Sequence, residues 1–131
     1  MMMQAHWLHA LAVAAGGSLG ALLRYSLNVG FVRAGWGGLP AATLSANVLG
    51  CLLTGLVLVW IESRVDAAFW RNLLMVGFLG ALTTFSALGL ELWQLVRAER
   101  WGLIALTLAA HVLLGVAAIA IGWKLGRAWW A

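Results

Sequence analysis

A chain of 131 residues that is 64% hydrophobic and 9% charged, with a mean hydropathy of +0.98, has too little polar surface to dissolve as a globular domain. Its formal charge is +4, but the eight basic residues are scattered singly, which excludes a nucleic-acid patch. The composition fits an all-α membrane protein.

A bilayer core of roughly 30 Å takes about 20 mostly apolar residues to cross as a helix. Four such runs occur, over residues 7–30, 39–61, 69–96 and 101–123. Most of the charge lies between or after them, at Arg33, Glu62, Arg64, Asp66, Arg97, Glu99, Arg100, Lys124 and Arg127. Residues 1–131 are therefore expected to form a single four-helix transmembrane domain. Trp7, Trp60, Trp70, Trp93, Trp101 and Trp123 fall near run ends, where an indole keeps its ring buried and its N–H wet.

The first run has no Lys or Arg in the nine residues that open the chain, so it lacks the charged flank of a cleaved signal and is expected to be retained. Ala12, Gly16 and Gly20 recur one turn apart, a spacing that lets helices approach closely. In the second run Pro40 sits at the first turn, where its missing N–H costs little. Ala42, Ala46 and Gly50 form another small-residue stripe, and Thr43, Asn47, Cys51 and Thr54 form a polar one. Asn47 suits two roles, gluing helices together or holding a partly dehydrated ion. Cys51 has no second cysteine to pair with in the chain.

The third run carries Gly77, Gly80, Thr83, Thr84, Ser86 and Gly89 through its middle, followed by Glu91. Glycine and hydroxyl residues weaken a helix, and a break at this depth frees carbonyls that are tolerated when buried in protein or lining a wet cavity. A helix broken at mid-membrane is the expectation; a continuous helix with small packing residues is the alternative. In the fourth run Thr107, His111 and Gly115 share a face. His111 fits a pore donor, a proton carrier or, by default, a hydrogen-bonded packing residue.

With four crossings, one side of the membrane receives Arg64, Arg71, Lys124 and Arg127 and the other Arg24, Arg33, Arg97 and Arg100. This four-against-four balance fixes no orientation, so a pair of oppositely inserted copies is possible alongside a singly oriented chain. Four short helices leave little room for a solute path, and the small-residue faces agree with oligomerisation. The chain shows no nucleophile–base, multi-carboxylate or metal-ligand spacing, which argues against an enzyme.

Three blocks in order, GGSLGALLRY over residues 16–25, ATLSANVLG over 42–50 and GFLGALTTFS over 77–86, with Glu91 downstream, resemble the Fluc (CrcB) family of fluoride channels across nearly the whole chain. That resemblance implies a fluoride-selective channel exporting fluoride by passive diffusion, expected in the cytoplasmic (inner) membrane of a bacterium. It implies an antiparallel, dual-topology homodimer with two pores near the subunit interface. It also implies a structural Na⁺ at the dimer centre, held by the backbone carbonyls of Gly80 and Thr83 and their counterparts in a second copy. The pore Asn falls on Asn47, the helix-two Thr on Thr43, the first pore Phe on Phe85 beside Ser86, and a vestibule arginine on Arg24. Two departures stand out: Leu88 occupies the place of a second Phe, and the helix-four polar track maps onto Thr107, His111 and Gly115. Donors such as amide and hydroxyl groups suit the small, strongly hydrated fluoride ion, and the positive edge of an aromatic ring adds a further contact. The rival readings are a small dual-topology proton-coupled drug exporter, which requires a buried carboxylate absent from the first run, and an accessory subunit without transport of its own.

Overall fold

The computed structural model describes residues 2–36 and 40–130, and among these every regular element is helical. Helix α1 spans Met2–Arg33 and α2 spans Ala41–Glu62. The third span comprises α3 (Ala67–Trp70), a π-helical segment (Arg71–Leu79), α4 (Gly80–Leu82) and α5 (Phe85–Arg97), and α6 (Trp101–Trp130) closes the chain. Among the described residues, four helical stretches are long and apolar enough to cross a membrane. Leu39, the expected first residue of the second run, lies outside the described residues.

Helix α6 continues two turns beyond Trp123, where charge ends the apolar run. The Arg127 guanidinium lies over the Trp123 ring at 5.0 Å, so the helix extends into the headgroup zone on a cation–π contact. At the turn after α2, Arg64 stacks over Trp60 at 4.1 Å and Trp60 meets Trp70 edge-on at 5.2 Å. These aromatic contacts pin the second and third spans together at one membrane face.

Because lipid is as apolar as leucine, helices in a bilayer associate through close backbone approach rather than hydrophobic burial. Helix α1 packs on the π segment in this way. A Cβ added to Gly16 would run into the Leu73 carbonyl oxygen, one on Gly20 into that of Phe78, and one on Gly77 would lie 2.7 Å from the Val13 carbonyl oxygen. Helices α2 and α6 pair through Gly55 against Ile119 and Gly122 against Leu52. Between the two pairs sit the buried Ala46, Leu79 and Leu82, wrapped by Leu23, Leu27, Leu53 and Phe78. The small-residue stripe of α1 is therefore used within the single chain, although its spacing equally suits contact between copies.

Candidate functional site

At Thr83 the α-helical backbone of α4 ends: ψ rises to 154°, and Thr84 is extended at φ −151° and ψ 122° before α5 begins at Phe85. Two extended residues within a span leave helical partners unmatched, and each backbone group must be satisfied from elsewhere. In an uninterrupted α-helix the Thr84 N–H would bond the Gly80 carbonyl; here it donates to Asn47 Oδ1 at 2.7 Å. The Ala87 N–H would bond the Thr83 carbonyl; here it donates to Thr84 Oγ1 at 3.2 Å, which caps α5. The Gly80 and Thr83 carbonyls thus lose their ordinary helical donors. The Ala81 carbonyl accepts from Arg24 Nε at 3.0 Å.

Asn47 reads both backbone groups of one residue. Its Oδ1 takes the Thr84 N–H, and its Nδ2 donates to the Thr84 carbonyl at 3.2 Å. The side-chain amide acts as a strand partner for the single extended residue, which explains why that conformation is tolerated in the span. One Nδ2 hydrogen remains for another acceptor. The remaining members of the α2 stripe serve other neighbours. Thr43 donates to Glu91 Oε1, Thr54 donates to its own Gly50 carbonyl at 2.7 Å, and Cys51 Sγ faces Gly115 across the α2–α6 contact.

Two cavities adjoin this arrangement. The first, about 370 Å³, is lined by Arg24, Tyr25, Asn28, Thr43 and Thr84 among others, so a cation and three hydroxyls meet the extended backbone. The second, about 770 Å³, shares Asn28, Ala42 and Thr43 with it and adds Glu91, Gln94, Thr107 and His111. His111 Nδ1 lies 2.9 Å from the Thr107 carbonyl oxygen, while His111 Nε2 and Glu91 Oε2 are buried without a partner.

The sequence candidates divide accordingly. Arg24 and Thr43 line the first cavity, Thr43, Thr107 and His111 the second, and Asn47 stands behind Thr84. Phe85 and Leu88, one turn apart on α5, differ sharply: Phe85 is 82% exposed on the outer surface of the helical bundle and Leu88 is 6% exposed in its interior. Ser86 is exposed, with its hydroxyl 3.1 Å from that of Thr84. Gly80 is exposed and Thr83 partly buried, its hydroxyl donating to the Leu79 carbonyl at 2.9 Å. Thr84 and Glu91 join the sequence candidates at this site. A hydroxyl residue three positions before Ala87 is the cap signal for Thr84, and an acid inside a span is the signal for Glu91.

The family model described as "CrcB-like protein, Camphor Resistance (CrcB)" matches residues 11–123. A protein named "Fluoride-specific ion channel FluC" from Saccharophagus degradans is 41% identical over 112 residues, covering 85% of this chain and 84% of that protein. Proteins of the same name from Xanthomonas euvesicatoria and Caulobacter vibrioides are 35% and 38% identical, covering 92% and 89% of this chain and 92% and 94% of their own lengths. Joined to the four membrane-length helices, these matches make the chain an integral membrane protein of the CrcB family.

Proposed function

We propose that this protein is a fluoride-selective channel through which fluoride leaves a bacterial cell passively across the inner membrane. The observation that carries this reading is the cavity where Arg24, Thr43 and Thr84 converge on backbone held extended by Asn47. A cation beside uncharged donors attracts a small hydrated anion and replaces part of its water without binding it too tightly to leave. The names of its relatives point to the same ion. The drug-exporter reading needs an acid in the first span; α1 has none, and Glu91 of the third span is engaged by Thr43.

The functional unit on this reading is an inverted homodimer with two pores. Gly80 and Ser86 are exposed within the third span beside freed backbone carbonyls, a polar strip that lipid does not accommodate and a second copy would cover. Balanced basic residues on the two sides support opposite insertion. The Gly80 and Thr83 carbonyls, relieved of their helical donors, are neutral oxygen ligands of the kind a hard monovalent cation takes, so these residues fit the expected Na⁺. That ion would supply a fixed positive charge to a region where anions pass. Phe85, projecting from the subunit surface, would present its ring edge to an ion at the interface. With Leu88 buried, each subunit offers one aromatic at this level.

The test is fluoride efflux from liposomes holding the purified protein, with chloride in parallel. Fluoride release that is fast, chloride-excluding and independent of a proton gradient is expected; active protein lacking such flux would end the channel reading, and drug-driven proton flux would favour the exporter. Reporter tags at the C-terminus are expected on both sides of the cell membrane, and a single-sided result would defeat the inverted pair.

A further inference from the structure

The larger cavity contains two unpartnered polar atoms whose chemistry is the same. The Thr107 carbonyl only accepts, so the 2.9 Å contact makes His111 Nδ1 the N–H nitrogen, and the neutral ring then carries a bare lone pair at the buried Nε2. Glu91 Oε2, buried in the wall of the same cavity, is likewise an acceptor when ionised. A cavity whose unpaired groups both accept repels an anion. One proton reverses this at His111, because imidazolium Nε2–H is both a donor and a positive charge.

We propose that this cavity is a proton-linked anion site in which His111 takes up a proton at Nε2 as a small hard anion binds. This rests on the fluoride-channel reading and adds to it a pH dependence particular to this chain. The proton is drawn from water and returned to it on the same side, no covalent bond forms or breaks, and net fluoride movement needs no proton gradient. The groups facing His111 across the cavity are few. Glu91 and Gln94 come from α5, Thr43 from α2, Asn28 from α1 and Thr107 from α6 itself, and Glu91 is the one charged residue among them. Arg24 lines the adjoining cavity, which shares Asn28 and Thr43 with this one. Histidine is the side chain whose charge changes between about pH 5 and 8, so efflux is read from pH 5.5 to 7.5.

The experiment measures fluoride efflux from liposomes across that window, with protein-free liposomes subtracted at each pH. Flux is expected to fall several-fold as pH rises through this window, because the imidazolium donor is lost. In His111→Gln, whose amide donates at every pH, the dependence should vanish. Flux that is present but flat with pH in the unchanged protein would overturn this inference and leave the channel reading intact. A second readout does not depend on transport. In protein carrying ¹⁵N-histidine, adding fluoride at constant pH near neutrality should convert the His111 ring from imidazole to imidazolium, because binding coupled to protonation is reciprocal. Chloride should not do so. Fluoride leaving the His111 signal unchanged would overturn the proposal even in protein that conducts nothing.

Discussion

Replacing Asn47 by leucine is expected to abolish fluoride flux, by 100-fold or more on the rough scale of losing several kcal/mol at one site, and to lower stability as well. Leucine matches the volume but removes both contacts to Thr84, so a backbone N–H and C=O lose their partners within a span. Each buried orphan costs about 1–3 kcal/mol, and lipid offers neither group a replacement. Thr54→Val is the matched control. Thr54 lies on the same α2 stripe but donates only to its own helix at Gly50, so removing that hydroxyl should change flux little and stability by no more than about 0.5 kcal/mol. The pair is read by efflux from liposomes together with cross-linking that tests for the proposed dimer. Wild-type flux in Asn47→Leu would show that Thr84 needs no side-chain partner for conduction and would remove Asn47 from the pore.

The contrast between those two positions marks what the sequence makes legible. The four spans are readable because apolar length is a local property, and small residues at one-turn spacing announce close packing. The division of work along the α2 stripe is not local. Asn47 meets Thr84 across 37 positions and Thr43 meets Glu91 across 48, so the partners emerge only when the spans are packed. Periodicity places Thr43, Asn47, Cys51 and Thr54 on one face; it does not show that one holds a backbone, another a carboxylate and a third merely its own helix. The π segment was equally hidden, since Arg71–Leu79 carries no residue that marks a wider turn before α1 is laid against it. Leu88 and Phe85 show the same limit from the other direction. The extended Thr83–Thr84 pair re-aims the helix that follows it, so the rotational phase of α5 cannot be extrapolated from the residues before it.

Two glycines on one helix provide the sharpest test of how the site is held. Gly30→Ala on α1 meets nothing within 4 Å and should be neutral or stabilise by about 0.5–1 kcal/mol, since alanine loses less backbone entropy in a helix. Gly20→Ala makes the same chemical change ten residues earlier and should destabilise by about 2–4 kcal/mol. Its Cβ would occupy the space of the Phe78 carbonyl oxygen, with the Leu82 amide nitrogen 3.1 Å away. Neither is the free end of a side chain, so the strain is relieved only by moving α1 off the third span. Arg24 lies one turn beyond Gly20 and anchors on the Ala81 carbonyl, two residues before the backbone becomes extended. Moving the helix therefore draws the guanidinium away from the cavity it charges, and flux should fall together with stability. Denaturant unfolding in micelles followed by tryptophan fluorescence measures the first effect, and fluoride efflux the second. If Gly20→Ala and Gly30→Ala proved equally tolerated, the backbone contact between α1 and the π segment would be excluded. The placement of Arg24 against the extended threonines would then lose its support.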